Sequence, residues 1–388
     1  MIMLSQQQRI FFEFLRFCIG TVQEVPSSLK GADWRVLYAM ARKQCLVGVL
    51  FDGIKRLPVD VGMDKGLLFQ WMAQNQTLRK ANARLDKAAV EVAEWFGRKG
   101  FRTCVLKGQG NALLYPPGME RTPGDIDLWV DGGDRKVVSF VRSLSPDEKV
   151  CYHHIGFPEY NGVEVEVHFR PSFLFCFRHN RCLQGYYERV MDEQFAHKVK
   201  LGEQGEVAVP KAEFNLIFQL THIFTHLMNE GIGLRQLLDY FFVLRNTDFG
   251  GNTDGDGFLL NTDCTDNTDR IGGNADGVDR RLLQDELRRL GLWEFAGAVM
   301  YIMKEVFGLE DNRLIVPPDV KRGRLVLKEV LEAGNFGQYD KRNWFGHSAL
   351  GHNLQRLYRD MRLVRYFLEE ALSEPFFRIW HFFWRKWH

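Results

Sequence analysis

At 388 residues, 45% of them hydrophobic, and with a formal charge of +2, the chain can bury one large core or two to three smaller ones. It carries no overall basic bias of the kind that drives non-specific nucleic-acid binding. Seven scattered cysteines without a CxxC pair argue against a disulfide framework or a zinc ribbon and fit a reducing cytoplasm.

The opening stretch MIMLSQQQRIFFEFLRFCIG has Gln and Arg inside its apolar run. It reads as a helix rather than a signal peptide, with Ser5 and Gln8 at capping-box spacing and Gly20 at its end. No apolar run is long enough to span a bilayer. Helical spacing over 33–41 and 65–96, broken near Pro58, makes 1–96 an N-terminal helical region. At 97 the period changes. FRTCVLKG reads as a short strand with a glycine exit, QGNALLYPPG as a short helix stopped by Pro116 and Pro117, and GDIDLWVD as a second strand. A helix over 135–144 follows, then VEVEVHF as a third strand with strict alternation. Strands interleaved with helices make 97–210 an α/β core.

Helices return from 211 in AEFNLIFQLTHIFTHLMNE and LRQLLDYFFVLRN and resume at 281–290, so 211–388 reads as a C-terminal helical region and the whole chain as α+β. Within that region, 246–279 is a polar repeat of NTD and GGN triplets. Such a stretch buries too little apolar surface to offset its ordering entropy, and it reads as a mobile insert. Asn252, Asp254, Asp256, Gly257, Leu259 and Asp263 approximate a calcium loop, a minority reading, because Asn replaces the first Asp, Asp replaces the last Glu, and no clear helix follows.

Aspartate is poor in strands, yet Asp125 and Asp127 stand in one. As residues i and i+2 they project from the same face about 7 Å apart, where their carboxylates can converge on a cation. Hard oxygen ligands of this kind suit magnesium, with manganese as the second choice. In VEVEVHFRP, Glu164, Glu166, His168 and Arg170 share one face and the valines share the other. If that strand pairs with the first, Glu166 completes a three-carboxylate cluster able to hold two metals roughly 4 Å apart. The bland alternative is a sheet with one solvated polar face. Upstream, Gly108 allows close backbone approach, the helix start beyond it attracts phosphate, and Lys107 adds a point charge. An ordinary strand-to-helix turn with a surface lysine is the competing reading. Arg121 either clamps a phosphate or pairs with Asp125.

The series LKG, YPPGMERTPGDIDLWV and VEVEVHFRP, followed by a His-bearing helix and LRQLLDY, resembles the bacterial uncharacterised nucleotidyltransferase family of the DNA polymerase beta-like superfamily. The resemblance spans about 65–244. It implies a mixed sheet flanked by helices, a glycine turn for an NTP triphosphate, and three acids for two magnesium ions. On matching positions Gly108 holds phosphate, Asp125 and Asp127 bind metal, and Glu166 is the third acid. Two departures stand out, because the superfamily's usual Gly-Ser turn is Lys107-Gly108 here and its usual third Asp is Glu166.

His222 and His226 have the i, i+4 spacing of a zinc pair but lack the following Glu and a third ligand, so they read as lining or packing against the cleft. Arg235 and Asp239 are also i, i+4 and read as an ion pair of small value. With His168, these four residues make up the expected acceptor pocket, since the resemblance raises the chance that the helix bearing Arg235 and Asp239 bounds it. In the tail, 375–388, Pro375 suits a helix start. Arg378, His381, Arg385 and His388 then oppose Phe376, Trp380, Phe383, Trp384 and Trp387. Docking on the C-terminal bundle is the favoured reading, a peripheral bilayer contact the second, and nucleic acid the weakest. The sequence thus points to a cytoplasmic nucleotidyltransferase that moves an NMP from an NTP to an unidentified hydroxyl or phosphate acceptor. Its rival is a non-catalytic binding or scaffold protein that keeps the fold and is held at a membrane by its tail.

Overall fold

A computed structural model describes residues 4–58, 62–250, 277–342, 345 and 348–386. The calcium-loop spacing, most of the expected insert, Trp387 and His388 lie outside the described residues. Ser5 and Gln8 form the reciprocal cap expected of them and start α1 (Gln6–Cys18). Then come α2 (Trp34–Lys43), α3 (Val47–Ile54) and the 34-residue α4 (Lys65–Arg98).

The sheet follows, with β1 (Thr103–Val105), α5 (Gln109–Ala112), β2 (Ile126–Val130), α6 (Gly133–Leu144), β3 (His154–Tyr160) and β4 (Val163–His168). Its order is β1-β2-β4-β3. β2 runs parallel to β4 and both outer pairings are antiparallel, which makes it a mixed sheet. Next are α7 (Phe177–Ala196), a small hairpin of β5 (Lys198–Lys200) and β6 (Glu206–Ala208), then α8 (Ala212–Asn229) and α9 (Leu234–Asn246). The C-terminal helices are α10 (Arg280–Arg289), α11 (Trp293–Glu305), α12 (Val320–Ala333), α13 (Ala349–Leu363) and α14 (Leu368–Trp384).

Side-chain alternation in β2 divides the protein's interior. Ile126, Leu128 and Val130 join Val163, Val165 and Val167 of β4 in a core closed by α4 and α6. Each such buried aliphatic side chain contributes about 1.5–3 kcal/mol relative to exposure. The opposite face of β2 carries Asp127 and Trp129, and Trp129 packs on Phe195 and Phe214 at ring distances of 4.7 and 5.7 Å within a second, larger core. That core unites helices from both ends of the chain: Gln44 of the N-terminal region donates to the Val330 carbonyl and accepts from the Leu234 N–H. Every residue of β2 is buried, including Asp127 at 2% exposure.

Two sequence expectations change. Pro375 lies inside α14 rather than at its start. Its ring removes one helical hydrogen bond, a loss the packing of the helix tolerates. α14 also does not divide into a basic and an aromatic face. Phe377 is buried against Tyr152, Phe173 and Phe175, His381 stacks on Phe377 and Trp384, and Phe376, Ile379, Phe382 and Phe383 are exposed. No helix among the described residues is long and apolar enough to cross a membrane.

Candidate active site

A cavity of roughly 530 Å³ opens where the ends of β2 and β4 meet α8, α9 and the 335–338 segment. Lys107, Gly108, Arg121, Asp125, Asp127, Glu166, His168, His222, His226, Arg235 and Asp239 all line it. Chain direction explains this convergence. Parallel pairing sets Asp127 directly against Glu166 and Trp129 against His168, so side chains of the same parity on β2 and β4 point into one space.

Asp127 is the centre of the strand wall. Its Oδ1 accepts from Lys107 Nζ at 3.0 Å and from His168 Nε2 at 3.0 Å, and Glu166 Oε2 lies 3.4 Å from the same imidazole nitrogen. Burial opposes ionisation of Asp127, but Lys107 and His168 outweigh it and hold the carboxyl well below the usual carboxylate range. Burial likewise opposes a charge on His168, yet its bonds to Asp127 and Glu166 push it up to about 9. Glu166 is lowered as well, with the His168 hydrogen bond prevailing over burial. Asp125, one residue before β2, goes the other way: the neighbouring Asp127 charge, and then burial, raise it.

Among the described residues, the ligand atoms of Asp127, Glu166 and His168 lie within 4.8 Å of one another. Asp125 lines the same cavity but is outside that set, and His168, expected in the acceptor pocket, takes the third place. The arrangement fits a divalent cation. The buried Asp127 and the half-buried Glu166 carboxylates face each other, a lysine ammonium already meets Asp127, and His168 Nδ1 rests 3.3 Å from the Arg170 carbonyl, leaving Nε2 toward the acids.

Gly108 begins α5 at φ +61° and ψ −100°, a backbone conformation open to glycine and strained for other residues. Beyond it, Asn111 Oδ1 accepts from Asn215 at 3.1 Å and from Gln219 at 3.0 Å, which ties the glycine turn to α8. Lys107 also donates to His222 Nε2 at 3.0 Å, an assignment that follows because an ammonium has no acceptor. His226 Nδ1 meets Glu230 Oε1 at 2.5 Å, so neither helix histidine enters a three-ligand group among the described residues.

The helix wall corrects two expected pairings. Arg121 does not pair with Asp125. Its Nε and Nη2 donate to both oxygens of Asp239 at 2.8 and 2.7 Å, and Tyr115 Oη adds a third bond to that carboxylate at 2.7 Å. Asp239 is therefore occupied, and Arg235 donates through Nη1 to the Thr122 carbonyl at 3.1 Å instead. Sequence reasoning passed over His153 and His154, although the adjacent pair in CYHHIG was a visible signal. Both line the cavity, and His154 pairs across the sheet with His168. Burial pushes His153 well below its ordinary value and His154 down to about 4.

No curated protein matches the chain. The crystal structure of an antigenic nucleotidyltransferase-like protein from Paracoccidioides brasiliensis is similar at 16% identity and a TM-score of 0.28, over 43% of this chain and 78% of that one. The sequence profile described as uncharacterised nucleotidyltransferase matches residues 30–260, a span that takes in the glycine turn, both acidic strands and the helix bearing Arg235 and Asp239. On that match over more than half its length, the chain belongs to the uncharacterised nucleotidyltransferase family.

Proposed function

We propose that the protein is a divalent-metal-dependent nucleotidyltransferase that moves an NMP from an NTP to a hydroxyl or phosphate acceptor and releases pyrophosphate. The observation that carries this reading is the register pair Asp127 and Glu166, a buried and a half-buried carboxylate facing each other across parallel strands in the wall of the cavity. Asp125, Asp127 and Glu166 would hold magnesium or manganese, with His168 beside them. When bound, such a cation activates the attacking oxygen and neutralises the departing phosphates. Gly108 leaves room for backbone approach to the triphosphate, and Lys107 places a positive charge next to it. Arg121 acts indirectly, fastening the 119–124 loop to α9 and so positioning Asp125.

Calorimetric titration with ATP, GTP, CTP and UTP, with and without magnesium, tests the reading. Magnesium-dependent binding of one or more NTPs that is lost in Asp125→Ala/Asp127→Ala is the expected result. Absence of binding to every nucleotide would reject the enzyme and favour a scaffold.

A second reading concerns location. The outward Phe376, Ile379, Phe382 and Phe383 of α14, followed by Arg385 and Lys386, suit a peripheral contact with an anionic bilayer. Co-sedimentation with anionic vesicles should fall in a Phe376→Ser/Ile379→Ser/Phe383→Ser variant, whose substituted side chains are exposed. Equal binding by that variant would remove the reading.

A further inference from the structure

A buried guanidinium ordinarily faces a carboxylate. Arg121 does so through a two-pronged pair. Arg235, one turn earlier than Asp239 on α9, does not, although it is only 8% exposed and lines the same cavity. Among the described residues it forms no ion pair. It makes one hydrogen bond, to the Thr122 carbonyl, and its Nε is buried without a partner. The face of its guanidinium stands 5.6 Å from the Phe336 ring. Burial, and then the neighbouring Arg121 charge, work against its ionisation and prevail over the attraction of Asp239, Cys45 and Asp125, so the folded chain holds a cation that no carboxylate among the described residues pairs with directly.

The neighbours repeat the pattern. Gln236 spends Oε1 on the Gly233 N–H at 3.1 Å, which fixes its Nε2 as a donor, and that Nε2 is also buried without a partner. Both residues line the cavity beside the Thr122–Gly124 turn that leads into Asp125.

We propose that Arg235, assisted by Gln236, receives an oxyanionic group of a substrate, a phosphate or a carboxylate, in this cavity. The inference rests on the nucleotidyltransferase reading for the identity of that substrate, but not for the anion itself. A guanidinium fork matches phosphate and carboxylate geometry in a way that a lysine ammonium does not. The group comes either from the NTP phosphate tail or from an anionic acceptor.

The test uses the full chain in metal-free buffer with chelator, so that it does not depend on the acidic site. Inorganic tripolyphosphate and glycerol phosphate are titrated by calorimetry into wild type, Arg235→Met and Arg235→Lys. At least one probe should bind wild type and lose roughly 30-fold or more in Arg235→Met, with incomplete rescue by Lys. Loss confined to tripolyphosphate assigns the NTP tail; loss of glycerol phosphate assigns the acceptor. Arg235→Met alone should melt at or above the wild-type temperature, because it removes an uncompensated buried charge, which a purely structural arginine would not allow. Equal binding of both probes by wild type and Arg235→Met, or binding of neither by wild type, overturns the proposal. The magnesium–NTP titration of the Asp125/Asp127 variant reports separately on the acidic site.

Discussion

The two walls of the cavity treat charge differently. On the strand wall, Lys107 and His168 meet Asp127, His168 also lies beside Glu166, and Asp125 stands next to them with its carboxyl raised by the Asp127 charge, so three carboxyls share two cations. On the helix wall, Arg121 and Asp239 cancel each other and Arg235 is left over. One wall therefore retains a surplus of acid suited to a metal cation, and the other a surplus of base suited to an anion. A metal-bound polyphosphate presents both partners, and a cavity between such walls can orient it before any chemistry begins.

The sharpest way to break this contrast is to make Arg121 resemble Arg235. Asp239→Asn leaves a buried guanidinium without its carboxylate and removes the charge-assisted bond from Tyr115. Chemical denaturation should show a loss on the order of 3–5 kcal/mol, whereas Arg235→Met should show none. Similar losses in both variants would mean that the two arginines are equally structural. A smaller effect should appear behind the strand wall. Asp86 on α4 has a pKa pushed up to about 6, by burial first and by the Glu120 charge second. A raised carboxyl pKa means that the folded chain holds the proton more tightly than the unfolded one. The stability this group supplies is thus present below about pH 4 and lost as pH rises through 6. Asp86→Asn should accordingly stabilise the protein at pH 7.5 by about 1 kcal/mol after solvent screening, with the gain gone by pH 4. A gain independent of pH would place its origin elsewhere.

Local pattern carried much of this molecule. The period-2 runs around Asp127 and Glu166 announced β2 and β4, and the Ser5–Gln8 spacing announced the first cap, because each feature is encoded by residues within a few positions of one another. Pairing between distant segments left no such mark. The closure of Arg121 on Asp239 spans 118 positions, and an i, i+4 rule applied to α9 alone assigns Asp239 to the wrong arginine. β3 escaped notice because Gly156 and Pro158 interrupt its alternation, and with it went the pairing of His154 with His168. Pro375 misled in the opposite sense. Its preference for a helix start is genuine, but the buried Glu370, Ala371 and Glu374 before it and Phe377 after it hold α14 continuous across it.

The central claim is that Asp127 anchors a cation on which nucleotide binding depends. Manganese binding, followed through the electron paramagnetic resonance signal of the free ion in the presence of an NTP, reads this without knowledge of the acceptor. Wild type should take up the ion in an NTP-dependent manner, and Asp127→Asn, which preserves the shape of the side chain, should weaken that uptake by at least about tenfold. Unchanged uptake by Asp127→Asn would contradict the account.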